Sequence, residues 1–308
     1  MDRVRTVSAT NSAKAPRWVA YVLLCLTNLL WAGNWITGRA LRTAFAPIEL
    51  SFWRWLIAAL ILAPFAIPSL IGKWRVIRAR AGLLALLALT GVVLFQVLIY
   101  LGLRTTTAVN ALLFNSSAPL FILLCSWTME RETAKAKQLL GMLVSLAGIM
   151  MIMGRGELAS ILQFDFHLGD AWILLAMPCW GIYSVLLKRR PPEFNGNELL
   201  FVVVAIGVLL MAPVFALNAL YSHPQMPTLG EVAGVVYTGL FGSAGAFICW
   251  NKAVVRVGAN AAGFSMHLLP VFGTVLAIIF LGEDLHLFHI VGIATILIGV
   301  YLATRPDY

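Results

Sequence analysis

Ten long apolar segments follow one another along the chain, separated by short polar connections. Each is about 20 residues long, the length that an α-helix needs to cross the hydrocarbon core of a bilayer. Apolar and polar residues do not alternate strictly within them, which favours helices over the strands of an outer-membrane barrel. The predicted segments are 18–37, 47–68, 81–102, 108–128, 138–154, 169–187, 199–219, 231–254, 259–281 and 287–304. The pattern predicts an all-α integral membrane protein with ten transmembrane helices.

The composition narrows the possible functions. Of the 308 residues, 61% are hydrophobic and 11% are charged, and the mean hydropathy is +0.90. Soluble domains are about half apolar and about one quarter charged, so an ordinary water-soluble enzyme is excluded. The sequence contains no phosphate-binding loop, no serine-hydrolase motif and no Cys/His cluster at metal-ligand spacing. We therefore expect no catalytic residue, no metal and no cofactor, and the prediction is that the chain is not an enzyme.

Basic residues are distributed unequally between the two ends of the predicted bundle. With ten helices both termini share one side, and most of the 22 Lys and Arg residues lie there. The opposite side holds Arg39, Arg42, Arg104 and Arg155. The positive-inside rule then places both termini in the cytoplasm of a bacterium, with the helices in its inner membrane. The net charge of +9 is attributed to these loops and not to nucleic-acid binding.

An internal repeat is the most specific feature of the sequence. Four residues at fixed spacing recur 151 residues later: Pro119, Glu132, Gly141 and Gly148 correspond to Pro270, Glu283, Gly292 and Gly299. Each half then contains five helices, and because five is odd the second half must enter the membrane inverted. Inverted halves are typical of secondary transporters, with the substrate site between them. The two glutamates are interpreted as caps of the helices that follow them.

The repeat also defines the predicted domain organisation. A cytoplasmic tail is followed by a first five-helix repeat, a connecting loop, a second five-helix repeat and a short cytoplasmic tail. The corresponding ranges are 1–17, 18–154, 155–168, 169–304 and 305–308.

Aromatic and amide side chains share faces in several predicted helices. Trp31 and Asn34 lie three residues apart and therefore on one face of the first helix, and Trp180 and Tyr183 repeat this spacing in the second half. A buried amide in a bilayer needs a partner, so such residues are expected to face the protein interior. The substrate-cavity candidates are Trp31, Asn34, Gln96, Tyr100, Phe114, Asn115, Trp180, Tyr183, Trp250 and His267.

Structural interpretations of the same residues stay open. Large aromatic residues also form belts at membrane interfaces, and buried amides also bond neighbouring helices. His267 is the obvious mid-membrane proton carrier if transport is coupled to protons, and otherwise a neutral, hydrogen-bonded histidine. Arg54, Pro119 and Pro270 are interpreted as gating or structural residues.

These motifs resemble the EamA family of the drug/metabolite transporter superfamily. The resemblance rests on Trp31 to Asn34, on Pro47 followed by Arg54, and on the two repeated blocks. It implies ten helices arranged as two inverted five-helix repeats. Within the family the chain is most similar to the YddG-type exporters of aromatic and other neutral amino acids.

The predicted function is that of a secondary transporter. No acidic residue lies at the centre of a predicted helix, and a wall of rings and amides suits a zwitterion whose side chain stacks on aromatic faces. We expect export of aromatic and other neutral amino acids across the inner membrane by alternating access. The expected partners are a small zwitterionic substrate and the lipid bilayer, and the protein is expected to work as a monomer. A broader drug or metabolite exporter and a non-transporting membrane scaffold are the alternatives.

Overall fold

The computed structural model describes residues 16–106, 108–157, 166–221, 226–281 and 284–305, and these ranges contain helices and no strand. The helices long and apolar enough to span a membrane are α1 (Arg17–Ala40), α2 (Pro47–Leu70), α3 (Ala81–Thr105), α4 (Asn110–Glu130), α5 (Ala136–Met153), α6 (Leu168–Arg189), α7 (Gly196–Tyr221), α8 (Leu229–Val257), α9 (Ala259–Phe280) and α10 (Leu287–Thr304). A short helix, Trp74–Ala79, joins α2 to α3. The prediction of an all-α fold with ten transmembrane helices is confirmed.

Each major helix contact joins one helix of the first half to one of the second. Helix α5 packs on α10, α2 on α7, α1 on α8 and α3 on α6. The last two pairs are counterparts of each other, because α1 corresponds to α6 and α3 to α8. The core of the protein is therefore the interface between its two halves.

The repeated glycines lie at the contact between α5 and α10. A Cβ atom added to Gly141 would lie 2.5 Å from the carbonyl oxygen of Gly299, and one added to Gly148 would lie 2.7 Å from that of Gly292. Each glycine thus faces the counterpart of the other, which requires the two helices to be antiparallel. This contact demonstrates the inverted repeat, and small residues allow the two backbones to approach closely.

The start of α1 lies beside the end of α10, where the Tyr21 hydroxyl donates a hydrogen bond of 3.1 Å to the carbonyl oxygen of Thr304. We call this end of the bundle the terminal face and the opposite end the distal face.

The third helix of each half contains a π-helical segment. It spans Ala88–Leu94 in α3 and Thr238–Gly245 in α8. A Cβ atom added to Gly91 would lie 2.2 Å from Cδ2 of Tyr183, and one added to Gly242 would lie 2.6 Å from Oδ1 of Asn34. Two candidate side chains, those of Tyr183 and Asn34, therefore pack directly against the backbone of the π-helical segments. Such segments often occur at functional sites.

The fourth helix of each half is interrupted. Helix α4 is broken between Asn115 and Ala118, and α9 between Ser265 and Leu268. A proline follows each break within the first turn of the new helical segment, where its missing N–H group is tolerated. Pro119 and Pro270 therefore mark the two restarts.

The two interruptions contact each other. Nε2 of His267 donates a hydrogen bond of 3.0 Å to the carbonyl oxygen of Ser116, the residue 151 positions earlier in the chain. Nδ1 of the same ring is hydrogen-bonded to the Ser145 hydroxyl of α5. A residue can touch its own counterpart only near the axis that relates the two halves, so this contact marks that axis.

The interpretation of Glu132 as a helix cap is wrong. Its carboxylate accepts hydrogen bonds of 2.7 and 2.8 Å from Nζ of Lys188 at the terminal face. The N-terminus of α5 is capped by Gln138, whose Oε1 accepts a hydrogen bond of 2.9 Å from the Lys135 N–H group. The counterpart, Glu283, lies outside the described residues.

The glycine contact predicts a stability effect. We expect Gly299→Ala to destabilise the protein by about 1–3 kcal/mol, the usual cost of overpacking a tight interface, because the added carbon would lie 2.4 Å from the backbone nitrogen of Ser145. Gly82→Ala is the matched control, since its added carbon meets no atom within 4 Å. Thermal unfolding in detergent measures both, and equal melting temperatures would contradict the close approach.

Candidate functional site

A cavity of about 840 Å³ lies between the two halves and reaches the distal face. Its walls come mainly from α1, α5, α9 and α10, and they are largely apolar. The residues that matter below are Trp35, Leu269, Pro270, Gly273 and Thr274. Cavities that bind small molecules usually measure about 300–1,000 Å³, so this one can admit a metabolite.

The mouth of this cavity is positively charged. Arg39, Arg42 and Arg155 line it together with a single described carboxylate, that of Asp284. The guanidinium of Arg39 is fixed by a hydrogen bond of 2.6 Å to the carbonyl oxygen of Thr106. Charges of one sign around a low-dielectric cleft attract ligands of the opposite sign.

Six aromatic rings close the bundle between this cavity and the terminal face. We call them the aromatic cluster: Trp31, Phe95, Trp180, Tyr183, Phe247 and Trp250. The ring centroids of Trp31, Trp180 and Trp250 lie 5.2–5.3 Å from one another. Trp180 and Trp250 are fully buried. The described conformation is therefore open toward the distal face and closed toward the terminal face.

Hydrogen bonds hold part of the aromatic cluster in place. Nε1 of Trp31 donates to the carbonyl oxygen of Gly242 at 3.2 Å, which uses a backbone group in the π-helical segment of α8. The Tyr183 hydroxyl donates to Oδ1 of Asn251 at 2.9 Å. The indole nitrogens of Trp180 and Trp250 are buried and have no hydrogen-bond partner among the described residues.

A second, closed chamber of about 20 Å³ lies between the large cavity and the aromatic cluster. Its volume accommodates about one water-sized group. Trp35 and Leu269 line both cavities, so these two side chains lie at the boundary between them. The polar residues that line the chamber come from the first half alone: Asn34, Arg54, Gln96 and Asn115.

Arg54 is buried beside this chamber. Its Nε donates a hydrogen bond of 2.7 Å to the Ser243 hydroxyl, and its Nη1 donates one of 2.9 Å to the Tyr100 hydroxyl. The guanidinium carbon also lies 5.2 Å from the ring centroid of Trp55. The side chain thus links α2 to α3 and α8 through neutral groups.

The ten cavity candidates separate into four groups in the structure. Trp31, Asn34, Gln96 and Asn115 line the closed chamber, and Trp31 also belongs to the aromatic cluster with Trp180, Tyr183 and Trp250. Tyr100 is buried and holds Arg54. Phe114 and His267 belong to none of these groups. None of the ten candidates lines the large cavity, and only the four of the first group line the closed chamber.

The two outlying candidates have other neighbours. The ring of Phe114 lies 6.0 Å from that of Phe166, near the distal face. Both ring nitrogens of His267 are engaged at the contact between the interrupted helices. The geometry thus gives His267 the contacts of a hydrogen-bonded structural residue. Of the gating candidates, Pro270 lines the large cavity and Arg54 the closed chamber.

Several residues of the site are not among the ten cavity candidates. Phe247 lies three residues before Trp250, on the same helical face, and therefore shares the spacing of the named candidates. Phe95, next to Gln96, and Ser243, which contacts Arg54 across 189 residues, carry no such pattern.

A ten-helix bundle of two inverted halves, with a cavity between them that is closed at one end, has the architecture of a secondary transporter. The sequence profile of the EamA-like transporter family matches residues 18–154 and 167–305. The chain belongs to this family, and it is a multi-pass membrane transporter.

Proteins of similar length resemble this chain in sequence or in fold. An uncharacterized transporter of Archaeoglobus fulgidus is 27% identical over 94% of this chain and 98% of its own length. A probable terminal-alkyne amino-acid exporter of Streptantibioticus cattleyicolor is 29% identical over 92% of each chain. A crystal structure that covers 94% of this chain and 97% of its own superimposes with a TM-score of 0.70 at 20% sequence identity, which shows likeness of fold.

The open and closed ends predict different chemical accessibility. The test uses a background without the four native cysteines. We expect a membrane-impermeant maleimide to label Thr274→Cys, because Thr274 lines the large cavity. We expect it not to label Ser184→Cys, because Ser184 is fully buried in α6. After denaturation in detergent the maleimide must label both variants, which shows that the reagent is active and that both proteins are present in equal amounts. Equal labelling of the two folded variants would show that the described cavity is not the open one.

Proposed function

We propose that the protein exports aromatic and other neutral amino acids across the bacterial inner membrane. It works as a monomer by alternating access. Both termini, and with them the terminal face, lie in the cytoplasm, as the basic loops of that side indicate. The described conformation then faces the exterior, where substrate is released.

The observation that carries this proposal is the aromatic cluster, three of whose rings line the closed chamber that adjoins the large cavity. Six rings from both halves meet there, and the cavity and the closed chamber contain no described carboxylate other than Asp284 at the mouth. Aromatic faces and edges favour a ring-bearing ligand, by about 0.5–1.5 kcal/mol for each well-placed pair. A cationic ligand would find no deep negative partner among the described residues, which favours a substrate without net positive charge.

A relative supports the same substrate class. The protein of Streptantibioticus cattleyicolor, similar over 92% of this chain, is described as a probable exporter of terminal-alkyne amino acids. An amino-acid backbone with an apolar side chain is common to such substrates and to the neutral amino acids proposed here.

Alternating access follows from the inverted halves. The opposite conformation requires the rings from the first half to separate from those of the second half, while α1 and α9 close the large cavity. The inverted relation lets each half adopt the backbone arrangement of the other, which produces the opposite conformation.

Counterflow in proteoliposomes tests the substrate class. Vesicles loaded with unlabelled phenylalanine are expected to accumulate labelled phenylalanine and tryptophan, and to exclude labelled lysine and glutamate. Empty vesicles are the control. Exchange confined to charged amino acids would refute the proposal, and equal exchange of aromatic compounds that are not amino acids would favour the broader drug or metabolite exporter.

The aromatic cluster predicts a transport defect. We expect Trp250→Leu to slow phenylalanine counterflow by about tenfold or more, a change of about 1.4 kcal/mol in the barrier, because Trp250 contacts Trp31 and Trp180 at the closed end. Trp127→Leu, half-exposed on the outside of α4, is the matched control and is expected to transport normally. Melting temperatures of both variants separate lost function from lost fold. Normal transport by a folded Trp250→Leu variant would count against a gating role for the cluster.

A further inference from the structure

Arg54 is a buried cation without a carboxylate partner among the described residues. Only 1% of the side chain is exposed, and the groups that contact it are the hydroxyls of Ser243 and Tyr100 and the rings of Trp55 and Tyr100. Glu49, one or two turns away on the same helix, is engaged elsewhere. Its two carboxylate oxygens accept hydrogen bonds from Asn218 and from the Ala46 N–H group.

A charge in this position is unfavourable unless something compensates it. Removing a guanidinium from water has a large desolvation cost, which neutral hydroxyls and aromatic faces offset only in part. A guanidinium carries five N–H donors, and hydrogen bonds from two of its nitrogens are accounted for. The remaining donors suit an oxyanion, which an arginine binds with two parallel hydrogen bonds.

The fold itself does not require a cation here. Helices α2 and α7 correspond, and when they are aligned from Pro47 and Gly196 the counterpart of Arg54 is Val203, followed by Val204 and Ala205. The second half therefore forms the same helix with apolar side chains. Arg54 is a feature of the first half that repeat packing does not explain.

Other polar atoms in the closed chamber lack partners as well. Nδ2 of Asn115, a donor, and Oδ1 of Asn34, an acceptor, are both buried and make no hydrogen bond with the described residues. Asn115 is 2% exposed and Asn34 is 6% exposed. Unpaired buried polar atoms are rare in folded proteins and point to a missing partner. Together with the remaining N–H donors of Arg54, Nδ2 of Asn115 gives the chamber two side chains that can donate to one anionic group.

We propose that this chamber binds the carboxylate of the substrate, with Arg54 and Asn115 donating hydrogen bonds to it, while the ammonium group stays on the side of the large cavity. The chamber is too small for an aromatic side chain, which occupies the large cavity beyond Trp35 and Leu269. The positive mouth formed by Arg39, Arg42 and Arg155 attracts the same carboxylate. This assignment extends the proposed amino-acid export and makes the carboxylate the decisive recognition element.

Ligand-induced stabilisation tests this assignment without transport, since a ligand that binds the folded state raises its melting temperature. The probes are phenylalanine, 3-phenylpropionate, which lacks the ammonium group, and phenethylamine, which lacks the carboxylate. We expect 3-phenylpropionate to bind the wild-type protein at least about tenfold more tightly than phenethylamine, in line with charge-assisted hydrogen bonds. Arg54→Gln is expected to abolish this preference and Arg54→Lys to retain part of it.

The ratio of the two analogue affinities distinguishes recognition from a structural role. If Arg54 had only a structural role, its substitution would weaken the binding of both analogues equally, and this result would overturn the assignment. Binding of phenethylamine as tight as that of 3-phenylpropionate by the wild type would overturn it even if no variant folds, and so would the absence of any stabilisation by 3-phenylpropionate. Carboxylate-dependent binding without phenylalanine counterflow would support the chamber and refute amino-acid export, so the two proposals fail separately.

Discussion

The contact between the two interrupted helices is the constraint on which the rest of the structure depends. Each break in α4 and α9 leaves backbone groups without helical partners, and such groups are costly inside a bilayer. His267 satisfies one of them at Ser116 and reaches Ser145 on α5 with its other ring nitrogen. Because Ser116 and His267 are counterparts, this bond fixes the axis between the halves. It thereby determines where the large cavity and the closed chamber lie.

The two halves share a backbone plan but not their side chains. Asn34 in the first half corresponds to Tyr183 in the second, and each is pressed against a glycine of the opposite half, Gly242 and Gly91. The polar member faces the closed chamber, whereas the aromatic member closes the bundle toward the terminal face. The equivalent helix faces of the two halves are therefore polar in the first half and aromatic in the second. This difference in side chains determines the chemical character of the site.

Much of the fold could be predicted because it depends on local and repeated properties. Helix number follows from apolar length, and the inversion follows from five helices in each half. The meeting of Trp31 and Trp180 follows from their equivalent positions. Glu132 shows where such reasoning ends. Its position before α5 suggests a cap, but in the structure its carboxylate pairs with Lys188, 56 residues away in sequence.

The contents of the site were harder to predict, because helical spacing shows which residues share a face and not which neighbour that face meets. Phe114 is adjacent to Asn115 in the chain, but its ring turns toward Phe166 and lines neither cavity. Arg54 depends on Ser243, 189 residues away, which no local pattern connects to it. Some contacts join the two halves at positions where their sequences differ. The sequence of either half alone does not predict such contacts.

The distribution of these residues between the halves has a consequence for transport. All polar side chains of the closed chamber belong to α1–α4, whereas four of the six rings of the aromatic cluster belong to α6 and α8. A substrate held by its polar end would stay with the first half while its side chain exchanges contacts with the second. Rocking of one half against the other then changes the contacts of the side chain more than those of the polar end. Since a ligand shifts a conformational equilibrium only through its different free energies in the two states, the side chain would contribute more to that shift than the polar end.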